Sequence, residues 1–116
     1  IDIRILDGHV EPVASLSWGP GAGQLATAGA DHAVVVWDVA GWTVGRKLEV
    51  QGAAVVSVDW SPTGDKMASG TVGRGVVIWE SGAWDEEHTV PGRPGLAHHA
   101  AWSTSGLRLA VCAGDG

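Results

Sequence analysis

Apolar residues in this chain alternate with polar or small ones over short stretches, and nowhere do they recur at the spacing of an amphipathic helix. Residues 14–18 (Ala-Ser-Leu-Ser-Trp) alternate and stop at a turn, Gly19-Pro20-Gly21-Ala22-Gly23. Residues 25–28 follow, then a turn at 29–32, then the β-branched run 34–37, Val-Val-Val-Trp. A more polar fourth strand is predicted at 46–50, where Arg46, Lys47 and Glu49 suit a sheet edge with one side in water. Residues 1–6 predict a further outer strand of the same kind.

The pattern then repeats. Trp18, Trp60 and Trp102 stand 42 residues apart, and so do Trp37 and Trp79. At the same offset Leu25 aligns with Met67 and Leu109, Pro20 with Pro62, and Leu6 with Leu48 and Val90. ASLSWGPGAGQLATAGAD stands over VSVDWSPTGDKMASGTVG and HHAAWSTSGLRLAVCAGD without a gap. Residues 14–18, 56–60 and 98–102 thus become equivalent inner strands. Four short strands per repeat of this length make one blade of a propeller. The predicted fold is all-β, a β-propeller of four-stranded antiparallel blades, with units at 6–47, 48–89 and a truncated 90–116. About two and a half blades cannot close a ring without leaving apolar sheet faces in water. The expectation is therefore a propeller of roughly six to eight blades, the rest supplied by the same chain or by other chains. Trp18, Trp60 and Trp102 are expected in the core between blades.

Gly8-His9, followed by Asp31 and then Trp37-Asp38, resembles the WD-repeat (WD40) family, and the resemblance covers essentially the whole chain. It implies a hydrogen-bonded chain inside the blade through His9, Thr27, Asp31 and Trp37. A carboxylate would fix the imidazole, the imidazole would bond a hydroxyl, and the hydroxyl would accept from the indole N–H. The second unit departs from this pattern: Gln51 replaces the His and Gly73 the Asp, leaving Ser69 and Trp79, with Glu80 after the Trp. In the third, Arg93 stands for the His and Val111 for the Thr, with Asp115 retained. Both are expected to keep the blade and lose its network. Gly41-Trp42 and Gly82-Ala83-Trp84, read as lying in the outer strands, are similar to propellers of vesicle coats, the nuclear-pore scaffold and the actin-nucleating complex. The third unit is similar to a closing blade of the coat type. These likenesses imply a cytoplasmic location, at a coat, a pore or the cytoskeleton.

Composition narrows the function. A net charge of −6, with seven Lys and Arg scattered singly, opposes binding to a phosphate backbone. No apolar run reaches the roughly 18 residues that span a bilayer, so no membrane insertion is expected. Seven Trp with no Tyr or Phe must carry the aromatic core, and one Cys forms no internal disulfide.

His9, Asp31 and Thr27 offer a base, its orienter and a hydroxyl, but the repeat spacing makes them a structural group rather than a triad. His98-His99 would point to opposite faces of a strand and do not chelate one ion. Asp85-Glu86-Glu87 lacks the spaced ladder of a calcium loop, and the 19–23 turn lacks the Lys-Ser/Thr of a phosphate loop. No catalytic residue, metal or cofactor is expected.

What remains is recognition of other proteins. The blade-top loops bring Pro12, Ala14, Ala54, Val56, Leu96 and His98 at the openings of the inner strands, with Ala30, Val72 and Gly114 in the turns after the second strands. Many of them are small or apolar, which suits a docked protein segment. The function expected is a non-enzymatic interaction scaffold within a multiprotein assembly. The alternative is a regulatory module of a longer chain whose enzymatic domain lies outside this segment.

Overall fold

The structure, a computed structural model, describes residues 1, 3–50 and 52–114, with Ala22 and Glu87 described by their backbone only. Gln51 and Asp115, read above as repeat counterparts of His9 and Asp31, lie outside the described residues. The described residues form ten strands. In the first sheet β1 (Val13–Trp18), β2 (Gln24–Gly29), β3 (Ala33–Asp38) and β4 (Thr43–Glu49) lie side by side in chain order, all antiparallel. The second sheet repeats this with β5 (Val55–Trp60), β6 (Lys66–Thr71), β7 (Val76–Glu80) and β8 (Asp85–Val90). A third, two-stranded sheet pairs β9 (Ala97–Trp102) with β10 (Leu109–Gly114). Even the irregularities repeat: the β1–β2 register shifts between Val13 and Ser15, and the β5–β6 register between Val55 and Ser57.

Three expectations need correction. Residues 1 and 3–6 form no strand: Ile1, Ile3 and Ile5 stand in solvent, Arg4 lies over the Trp42 ring, and Leu6 packs against Leu25, Val35 and Trp37. A strand exists through a ladder with a neighbour, and among the described residues none lies beside them. Trp42 and Trp84 lie in the turns just before β4 and β8 rather than within them, at φ 53° and 58°. That left-handed backbone is incompatible with a ladder and strained for a bulky side chain. Finally, Trp18 is 49% exposed, whereas Trp60 is 6% exposed and buried as expected.

The contrast between Trp18 and Trp60 follows from how the sheets stack. Side chains alternate across each strand, so every sheet has a face of large residues and a face of small ones. Val58, Trp60, Met67, Val77 and Trp79 form the large face of the second sheet, with Trp84 packed edge-on to Trp60 at 5.4 Å. They bury against Ala26, Ala28, Val34 and Val36, the small face of the first. Burying side chains of this size contributes about 1.5–3 kcal/mol each, and the alanines let the two backbones approach. Trp18 belongs to the large face of the first sheet, and among the described residues no sheet lies against it.

Side-chain acceptors fix the slide between inner strands. Ser15 Oγ accepts from the Val58 N–H at 3.3 Å and Ser17 Oγ from the Trp60 N–H at 3.3 Å. One blade on, Ser57 Oγ accepts from the Ala100 N–H at 3.4 Å and Asp59 from the Trp102 N–H at 2.7 Å. The approach is closest at Gly70, where an added Cβ would lie 2.0 Å from the His98 carbonyl oxygen and 2.4 Å from Ser57 Oγ. Gly70→Ala should therefore cost about 2 kcal/mol or more through overpacking. Gly23→Ala, with nothing within 4 Å of its Cβ, should stay within about 0.5 kcal/mol of the parent. Urea denaturation followed by tryptophan fluorescence separates the two, and equal effects would contradict this packing.

Candidate functional site

The first blade carries a continuous polar chain. β2 sets Thr27 and β3 sets Trp37 on one face, the turn between them carries Asp31, and the segment before β1 lays His9 across them. His9 Nδ1 lies 3.0 and 3.2 Å from the two Asp31 carboxylate oxygens, and its Nε2 lies 2.8 Å from Thr27 Oγ1. Trp37 Nε1 donates to the same Thr27 oxygen at 3.1 Å, and the Val10 N–H donates to Asp31 at 3.1 Å. In the neutral ring the carboxylate, which only accepts, is matched by a proton on Nδ1, and Nε2 then accepts from the threonine hydroxyl. With the His9 and Asp31 side chains 3% and 4% exposed, the chain is interior and every member has a partner.

A base beside a hydroxyl could in principle activate it. Here Thr27 lies buried within the sheet, and its oxygen already accepts the indole N–H. That placement suits holding a turn.

A glycine makes room for the group. A Cβ on Gly29 would lie 2.6 Å from Asp31 Oδ1 and 2.7 Å from His9 Nδ1. In the second blade Gly73 stands where Asp31 stands, and Thr71 takes the place of Gly29. Thr71 is buried, and its Oγ1 donates to the Gly75 carbonyl at 2.8 Å. Of the polar chain the second blade keeps the Trp79 Nε1 to Ser69 Oγ bond, 2.9 Å. This exchange was readable in the sequence, since Gly29/Thr71 and Asp31/Gly73 change together at the repeat offset.

The second blade's turn is held from its neighbour instead. His98 Nδ1 donates to the Thr71 carbonyl at 2.9 Å, and the Arg93 N–H donates to His98 Nε2 at 3.1 Å. His98 therefore leaves the set of docking positions: it is 3% exposed with both ring nitrogens engaged. The backbone gives the reason. Ala14 and Val56 sit at the register shifts of the first two blades, which re-aim a side chain, whereas the β9–β10 ladder runs unbroken from Trp102 to Ala97, carrying His98 inward.

The remaining positions lie at the loop ends of the sheets. The Ala30 N–H donates to the Pro12 carbonyl at 3.1 Å, the Val72 N–H to Ala54 at 3.0 Å, and the Gly73 N–H to Leu96 at 2.9 Å. Val72 also bridges to Ala97, so the second blade's loop joins the third. Pro12, Ala14, Ala30, Val72 and Gly114 are exposed there, while Ala54, Val56 and Leu96 are half-buried. The sequence did not single out Val10 and Val13, which are also exposed at this end.

Repeated four-stranded antiparallel sheets, stacked face to face around a shared set of inner strands, are the blades of a propeller repeat protein. The family described as WD domain, G-beta repeat matches residues 2–38 and 42–80, more than half of the chain, and the chain belongs to that family. Its domains generally mediate protein–protein interaction and are typically non-catalytic. No curated protein matches the chain.

Burial alone would raise the Asp31 pKa. The hydrogen bond from His9, the Val10 N–H and the charge His9 carries when protonated outweigh it and hold the carboxyl below its usual value. A lowered folded pKa means stability that is whole above the unfolded value of 3.8 and lost as the pH falls through the folded one. Asp31→Ala should cost about 1–3 kcal/mol at neutral pH by leaving the His9 donor unmatched. The gap between parent and variant in thermal melts should shrink at pH 3. A gap unchanged at low pH would contradict the assignment.

Proposed function

We propose that this chain is a non-enzymatic scaffold of a multiprotein assembly, and that it receives a partner's polypeptide segment at the loop ends around Pro12, Ala30 and Val72. The observation that carries this reading is that backbone bonds join the loop ends of the second and third sheets, and that exposed apolar side chains stand at these ends and at the corresponding end of the first. Val72 is 36% exposed and Val13 50%, and such short side chains lose little entropy when docked. The outer strand β4 shows Arg46, Lys47 and Glu49 to water, where ion pairs contribute under about 1 kcal/mol. Further blades, from this chain or from others, extend the same loop surface.

Affinity purification of the tagged chain with quantitative mass spectrometry tests the reading. Val72→Asp and Leu96→Asp, each first checked for folding, should lower recovery of the bound proteins more than tenfold, or about 1.4 kcal/mol. Arg46→Glu and Lys47→Glu should leave recovery nearly unchanged. Loss confined to the β4 variants would overturn the proposal and move recognition to the blade edge.

A further inference from the structure

The run Asp85-Glu86 acquires a role from what lies beside it in space. Between β4, the outermost strand of the first sheet, and β8, the outermost of the second, there is a groove of about 430 Å³. Trp79 and Trp84 line it, and Glu49, Arg74, Asp85 and Glu86 border it. Both walls belong to sheets that already stack on each other, so the groove does not depend on what covers the free faces of the first and third sheets.

Three carboxylates against one guanidinium leave the groove negative, and Glu49, Asp85 and Glu86 are all exposed. Low-dielectric walls beside charges of one sign strengthen the attraction for a counter-ion. The face of an indole adds to it, because its quadrupole draws a cation. The molecule shows that pairing once already: Arg4 lies 5.3 Å from the ring centre of Trp42, the repeat counterpart of Trp84. Arg46, the counterpart of Arg4, turns to the Ala83 carbonyl at 3.3 Å and steadies the turn that carries Trp84. Trp84 itself is held edge-on to Trp60 at 5.4 Å, on a left-handed backbone with φ 58°. Packing thus fixes the ring before any partner arrives, which lowers the entropy cost of docking.

We propose that this groove binds a basic, arginine-bearing segment of a partner protein. A guanidinium is planar, so it can lie on the Trp84 ring while its N–H groups reach Glu49 on one wall or Glu86 on the other. An apolar or acidic segment would strip water from these carboxylates and give them no partner. The groove stands apart from the loop ends, and its assignment does not rest on theirs.

Nuclear magnetic resonance on the isotope-labelled chain tests this with two synthetic peptides. One is an acetylated Gly-Arg-Gly-Arg-Gly amide, and the other carries citrulline, an uncharged isostere, in place of each arginine. The arginine peptide should move the indole N–H signal of Trp84, assigned by its absence from Trp84→Leu, and saturate before near-millimolar concentration. The citrulline peptide should bind at least tenfold more weakly. Glu49→Gln and Glu86→Gln, isosteric changes at exposed positions, should each weaken binding of the arginine peptide severalfold. Glu11→Gln, at an exposed carboxylate outside the groove, should leave it unchanged.

The glutamine variants decide the matter if Trp84→Leu fails to fold. Absence of binding, equal binding of the two peptides, or shifts confined to indoles other than Trp84 would overturn the proposal. So would equal weakening by Glu11→Gln and Glu86→Gln, which would mean that the peptide follows the overall negative charge of the chain rather than the groove.

Discussion

The packing of large side chains from one sheet against alanines and valines of the next is the constraint on which the rest of the structure depends. Trp60, Met67 and Trp79 cannot bury within their own sheet, because a sheet has no interior. Ala26 and Ala28 leave the room into which they fit. The close approach that results puts inner strands near enough for Ser15, Ser17, Ser57 and Asp59 to receive neighbouring N–H groups. It also explains why a glycine, Gly70, sits where the third sheet's backbone touches the second.

The polar chains depend on that stacking rather than replacing it. In the first blade His9, Asp31, Thr27 and Trp37 tie the turn between β2 and β3 to the segment entering β1. The second blade has no carboxylate at Gly73, and its corresponding turn is anchored by His98 from the third sheet. One blade secures its loop from within and the next from its neighbour. In each, a backbone bond ties the loop ends together, Ala30 to Pro12 in the first and Val72 to Ala54 in the second, and a surface with few free rotors is what the proposed docking needs.

Much of this was legible in the sequence, because a strict 42-residue period fixes the register of every strand at once. Inner strands and turns follow from it, while the four network residues follow from the resemblance to the WD-repeat family. What escaped has a physical cause in each case. A strand at residues 1–6 requires a neighbour that periodicity does not supply. Trp42 and Trp84 look like strand residues until their positive φ is known. His98 shares a repeat position with Ala14 and Val56, yet an unbroken ladder turns it inward, and a register shift leaves no mark in an alignment. The Thr71 and Gly29 exchange did leave a mark, but it takes meaning only once Gly29 is seen against His9 and Asp31.

Hydrogen exchange on Trp60→Ala tests most directly whether interblade packing sustains both sheets. Removing a buried tryptophan costs about 3–5 kcal/mol, and the cavity would open on the small face of the neighbouring sheet. Protection should fall in β5, β6 and β7 and, to a comparable degree, in β2 and β3 of the first sheet. Loss of protection confined to the second sheet, with β2 and β3 exchanging as in the parent, would contradict the account.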